Sequence, residues 1–181
     1  MIMKSKIRKK MPKVSIIIRT KNEEQWIEQC LNKINKQSYK NFEIIVVDNK
    51  SKDSTLNKVS KFDTKLVQIN KFIPGEALNR GIKKSKGEYV IFQDADLEYD
   101  PKDIVKFLEM INKFAPDVVL GSRFNYDKYS KSHSILNKIG NLILTGTFNI
   151  LYNTTFTDIY SCYFAFKKEL LDPNQLQTMG F

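Results

Sequence analysis

Hydrophobic positions along this chain alternate between short continuous runs and stretches in which they recur every three or four residues. The run VSIIIR at 14–19 has strand length, and 23–36 then places Ile27, Cys30, Leu31 and Ile34 at helical spacing. Thr20, three residues before Glu23, has the capping-box pattern and predicts that the turn between them starts this helix. FEIIVV at 42–47, bounded by Asn41 and Asp48, predicts a second buried strand. The same reading gives a helix opening at 53–55, a strand at 65–69, a helix at 75–84 and a short strand at 89–92. A helix at 103–113 behind Pro101 and a fifth strand at 117–120 complete the alternation. After a polar loop at 125–134, residues 135–152 predict a helix with an unusually apolar surface, 163–166 a last strand, and 169–171 a helix start that Pro173 interrupts.

Strands alternating with helices predict an α/β fold with a mostly parallel central sheet and helices on both faces. With 181 residues and 41% hydrophobic content, the chain has room for one such core. A single domain over 14–181 is therefore expected, behind a basic tail at 1–13. That tail carries Lys4, Lys6, Arg8, Lys9, Lys10 and Lys13 without a following apolar run of signal-peptide length. It reads either as a solvated tail or as a contact for anionic lipid headgroups.

Charge changes the picture by pointing to an anionic partner: the net charge is +10. A diphosphate ligand, an acidic membrane surface and nucleic acid all meet that condition. Dispersed basic residues and the lack of an RNA or DNA module signature argue against nucleic acid. Cys30 and Cys162 lie far apart without CxxC spacing, so neither a disulfide framework nor a structural zinc site is suggested, and a reducing, cytoplasmic setting fits. His133 is the single histidine, which argues against His-based metal sites and against Ser-His or Cys-His nucleophiles.

In parallel sheets, ligands bind outside the carboxyl ends of the strands. Asp48 follows the second predicted strand, Gln93-Asp94-Ala95-Asp96 the fourth and Arg123 the fifth. Two carboxylates one residue apart suit a hard cation, Mg2+ or Mn2+, whose other ligands come from water and substrate phosphates. Taken alone, Asp94 and Asp96 read first as the start of a turn; their company on one sheet edge favours a metal-diphosphate site. Glu98 either adds an oxygen ligand or faces water, and Arg123 either pairs with phosphate oxygens or forms a surface ion pair. GEALNRG at 75–81 lacks the spacing of either Gly-rich nucleotide motif, and reads as tight helix packing or as the wall of a sugar-nucleotide pocket.

Laid out in order, VSIIIRTKNEE, FEIIVVDNKSKDST, GEALNRGIKKSKGEYVIFQDAD and VVLGSRF resemble glycosyltransferase family 2, the inverting enzymes of GT-A (nucleotide-diphospho-sugar transferase, Rossmann-like) fold. In the second half QDADLEYDP, GSRF and TDIYSCYFAFKKELL resemble polyprenyl-phosphate sugar transferases of the dolichyl-phosphate mannosyltransferase type. The resemblance implies that Arg19, Lys21 and Glu23 line the nucleotide base and ribose of a GDP- or UDP-sugar, and that Asp48 with Val46 contacts the base. It implies that Asp94, Ala95 and Asp96 hold diphosphate and metal, that Glu98 stands at a position completing the metal shell, and that Arg123 faces phosphates. Thr157-Asp158 matches an acceptor-side motif, with a polyprenyl phosphate or a glycan as acceptor. Members of this branch continue beyond a Gly-Phe like Gly180-Phe181, so a C-terminally truncated domain is expected, and with it the alternative of a non-catalytic nucleotide-sugar or lipid binding module.

The reaction so implied is attack on the anomeric carbon of a nucleoside-diphosphate sugar, with Asp96 and Arg123 easing departure of the diphosphate. Asp158 is the candidate base for an alcohol acceptor. The apolar helix at 135–152, with Lys128, Lys131 and Lys138 near it, reads as a rest in the headgroup region of the cytoplasmic face of a membrane, or as ordinary core packing.

Overall fold

In the computed structural model, residues 13–70, 74–122 and 135–172 are described. Six strands, β1 (Val14–Thr20), β2 (Phe42–Asp48), β3 (Lys65–Gln68), β4 (Tyr89–Asp94), β5 (Val118–Leu120) and β6 (Phe164–Lys167), form one sheet of order β3-β2-β1-β4-β6-β5. The first four run parallel, and β6 is antiparallel to both its neighbours. The predicted parallel sheet is thus mixed on one side, because the chain returns through β6 to fill the gap between β4 and β5.

Period-two alternation sorts the strands onto two faces. Ile16, Ile18, Ile44, Val46 and Ile91 join the larger core, which α1 (Ile27–Asn35), α2 (Thr55–Val59) and α4 (Ile104–Phe114) cover with Leu31, Ile34, Val59, Phe107, Leu108 and Ile111. Ile17, Ile45, Val47, Val90 and Phe92 face the other way, under α3 (Pro74–Lys84) with Ala77 and Ile82. Gly81 of α3 lies so close to β1 that an added Cβ would meet the Ile17 side chain at 2.6 Å. That contact accounts for Gly81 as tight packing of α3 on β1.

Two predicted helix boundaries move. Residues 24–26 form a turn and α1 begins at Ile27, with Trp26 as an N-cap that makes no side-chain capping bond. The capping box does not form, because Thr20 is the last residue of β1 and its hydroxyl donates to Asp48 on the neighbouring strand, 3.1 Å away. The predicted helix at 169–171 is a single 3-10 turn, Lys168–Leu170. The predicted loop at 125–134 lies outside the described residues. The last helix, α5 (Ile135–Tyr152), has the predicted bounds, and among the described residues no helix is long and apolar enough to cross a membrane.

Candidate active site at the carboxyl ends of β1, β2 and β4

β1 is the centre of the site, flanked by β2 and β4 in parallel register, with Thr20 beside Asp48 and Arg19 beside Asp94. Both pairs bond. The Arg19 guanidinium donates to Asp94 Oδ1 at 3.0 Å on one face of the sheet, and Thr20 reaches Asp48 on the other. Sequence reasoning set Asp48 and Asp94 just after their strands; they are instead the last strand residues, so the ladder itself fixes their positions.

Asp48 is fully buried and committed. Its Oδ1 accepts from Thr20 and from the Ser51 hydroxyl at 2.5 Å, and its Oδ2 from the Ser51 amide at 3.1 Å. It thereby shapes the β2–α2 loop, which is in turn laced to the β1–α1 loop. The Asn22 amide donates to Ser51 Oγ, Glu23 to Thr55 Oγ1 and Glu24 to Asp53 Oδ2, while Lys52 and Ser54 donate back to the side chains of Asn22 and Glu24. Asn22, Lys50 and Leu97 all have positive φ, at 57°, 50° and 64°. Each of the three loops that surround the site therefore contains one left-handed non-glycine residue, a conformation retained only where surrounding bonds over-determine it.

At the end of β4 Asp94 is partly exposed, and beyond it Ala95 is buried and Asp96 exposed. Asp96 Oδ1 accepts from the Glu98 amide at 2.9 Å, which folds the loop back on itself and leaves Asp96 facing outward. Glu23 lies in the field of this pair: burial first, then the charges of Asp96, Asp53 and Asp94, shift its carboxyl upward from the ordinary glutamate value. Carboxylates from three loops therefore feel one another's charge, a repulsion that a bound cation would relieve. No group of three or more acidic, His or Cys side chains is arranged around a single ion among the described residues. That donor set fits a Mg2+ or Mn2+ that shares its shell with phosphate and water, rather than an ion caged by protein alone.

The structure thus brings Arg19, Glu23, Asp94, Ala95 and Asp96 to one edge, with Lys21 exposed in the adjoining loop and Glu98 exposed beyond Asp96. Val46 is not at that edge; it is wholly inside the core under α1. Asp158, between α5 and β6, is buried, its Oδ1 accepting from Asn141 of α5 at 2.8 Å and from the Tyr160 amide at 3.1 Å. Arg123 lies outside the described residues. Sequence reasoning missed the Arg19–Asp94 pair and the bonding between the two loops. A basic residue closing an otherwise apolar strand, and Asn, Ser, Asp and Thr clustered at 49–55, were the available signals.

A parallel sheet with paired carboxylates at its carboxyl edge and a returning antiparallel strand defines a GT-A type α/β domain. The chain belongs to glycosyl transferase family 2, whose family model matches residues 15–173. It is 32% identical over 182 residues to a dolichol-phosphate mannosyltransferase of Pyrococcus furiosus, an alignment covering 93% of this chain and 50% of that protein. A solved structure of Staphylococcus aureus TarS in complex with UDP-GlcNAc aligns with TM-score 0.54 and 35% identity over 60% of this chain and 33% of that one. Glucosyl-3-phosphoglycerate synthase of Mycobacterium tuberculosis, solved with Mn2+, UDP and glucosyl-3-phosphoglycerate, shares the fold at TM-score 0.69 and 20% identity, over 88% of this chain and 58% of that one. The chain thus spans half or less of the length of the curated relatives it matches first.

Proposed function

We propose that this chain is the donor-binding and catalytic part of an inverting glycosyltransferase that moves a sugar from a nucleoside-diphosphate sugar to a polyprenyl phosphate. The observation that carries the reading is the placement of Asp94 and Asp96 around buried Ala95 at the end of β4, beside Arg19 and Glu23. Similarity to a dolichol-phosphate mannosyltransferase over nearly the whole chain supports the lipid-phosphate acceptor. The outward apolar residues of α5, Leu136, Ile139, Leu142 and Ile143 among them, support peripheral contact with the membrane that would hold such an acceptor.

In this mechanism Asp94 and Asp96 hold Mg2+ or Mn2+, which when bound supplies Lewis-acid stabilisation of the departing diphosphate. Lys21 and Glu23 line the base and ribose, with Asp48 holding the loops that carry them. Arg19 offsets the charge of Asp94, and Arg123 is assigned to the phosphates. The acceptor phosphate is its own nucleophile: with a second pKa of about 6, by analogy with phosphorylated side chains, it needs no strong base. Asp158, already bonded to Asn141 and Tyr160, then serves to orient the acceptor side rather than to take a proton.

A glycan acceptor is the second reading. It is favoured by 29% identity over 93% of the chain to a Staphylococcus aureus poly(ribitol-phosphate) β-N-acetylglucosaminyltransferase. Labelled GDP- and UDP-sugars incubated with Mn2+ and either a polyprenyl phosphate or a soluble glycan separate the two. The proposal predicts label in the organic-extractable polyprenyl product. Label in soluble glycan alone transfers the assignment to a polysaccharide enzyme, and metal-dependent donor binding with no transfer to either assigns a binding module.

A further inference from the structure

Gln93 interrupts the apolar alternation of β4. Tyr89 and Ile91, on the same face, lie in the larger core, and Gln93 follows them inward at 1% exposure. A buried carboxamide must place two donors and an acceptor. Its Nε2 donates to the Asp94 carbonyl at 3.0 Å and to the Tyr99 carbonyl at 2.9 Å, while its Oε1 has no hydrogen-bond partner among the described residues. The two carbonyls are the ends of the segment that carries Asp96. One amide therefore closes the loop over Ala95, Asp96, Leu97 and Glu98, and holds it against the left-handed strain at Leu97.

Tyr99 extends the restraint outward. Its hydroxyl accepts from the Cys162 amide at 3.3 Å, and its ring stacks on Tyr163 with centroids 4.9 Å apart. Tyr163 packs edge-on against Phe107 of α4. Cys162 and Tyr163 follow directly on the acceptor-side segment that Asp158 anchors, so the donor loop and that segment share one set of contacts. A residue needed only for filling would be apolar here, since a buried acceptor without a donor costs stability that a same-sized apolar side chain avoids.

We propose that Gln93 is a positioning residue. Its carboxamide sets the separation of Asp94 and Asp96, and with it their affinity for a divalent cation held jointly with a diphosphate, while Tyr99 couples this loop to residues 158–163. The inference rests on the donor-site reading above.

The test uses the full chain as wild type, Gln93→Met and Gln93→Asn. The measurements are the MnCl2 concentration giving half-maximal binding of UDP or GDP, whichever wild type takes, and hydrogen-deuterium exchange of the peptide spanning 94–100. Gln93→Met keeps the volume and removes both donors; the expected outcome is a rise of about tenfold or more in the Mn2+ requirement, as for other groups that orient metal ligands. Exchange of the loop accelerates while that of β2 stays unchanged. Gln93→Asn keeps the amide donors on a shorter stem that reaches the two carbonyls less well and falls between the two, which keeps the idea testable if the Met variant does not fold. A Mn2+ requirement within about twofold of wild type in the folded variants overturns the proposal, since groups that orient metal ligands move it further. If wild type shows no Mn2+-dependent binding of either UDP or GDP, the donor-site reading fails instead. Loop exchange then decides the clamp: unchanged exchange in Gln93→Met overturns it, and acceleration confined to 94–100 upholds it.

Discussion

Helices α4 and α5 are both amphipathic, yet they use their faces in opposite ways. In α4, Ile104, Phe107, Leu108 and Ile111 recur at helical spacing and all are buried on the sheet. In α5 the buried described residue is Thr145, and the inward stripe is polar: Asn141 bonds to Asp158, Thr145 to Asn141 and to the Ile159 amide, Asn149 to Phe156. Leu142, Ile143, Ile150 and Leu151 point outward, with Ile150 83% exposed. Periodicity identifies a stripe, but whether that stripe faces the core depends on what else the chain offers to cover it.

The sharpest way to break this comparison is through stability. Leu108→Ala should lower unfolding free energy by about 2–5 kcal/mol, the usual loss for a buried leucine. Chemical denaturation reads it, and a small loss would mean that α4 does not hold the core. A second test contrasts the amino edge of the sheet with α5. There Glu43 is opposed by burial, but hydrogen bonds from Lys65, Ser15 and the Lys86 amide, together with the Lys65 charge, hold its carboxyl at about 2 against an ordinary 4.5. Because the folded value is depressed, this contribution is complete above pH 4.5 and is lost as the pH falls from there through about 2. Glu43→Gln should flatten the acid limb of stability in that window; an unchanged limb assigns it to other groups.

Smaller effects belong to α5. Asn149→Ala removes the bonds to Phe156 and Thr154 that close the end of the helix, and should cost about 1–2 kcal/mol. Leu142→Ser should change stability by no more than about 0.5 kcal/mol, as surface substitutions do. A loss at Leu142 near that of Leu108 would erase the contrast between the helices.

Much of this architecture was legible in the sequence. The apolar runs at 14–19 and 42–47 became central strands because continuous β-branched stretches can only be satisfied with both sheet faces covered. The placement of Asp94-Ala95-Asp96 at the carboxyl edge of the sheet was legible through the apolar run that precedes it. The start of α1 was not, because Thr20 had a stronger partner across the sheet in Asp48 than in its own helix. Nor was the antiparallel return of β6, since three or four apolar residues do not encode a direction. The commitment of Asp48 to loop contacts, the burial of Val46 and the clamp at Gln93 are tertiary facts that spacing alone does not carry.

Asp94 and Asp96 as the metal and diphosphate site are the centre of the account, and calorimetric titration of UDP with and without Mn2+, on wild type and Asp96→Ala, tests them most directly. The account predicts that wild-type binding depends on Mn2+ and that Asp96→Ala loses this dependence, with affinity falling about tenfold or more at an unchanged melting temperature. Binding of UDP that is indifferent both to chelation of the metal and to Asp96→Ala would contradict it.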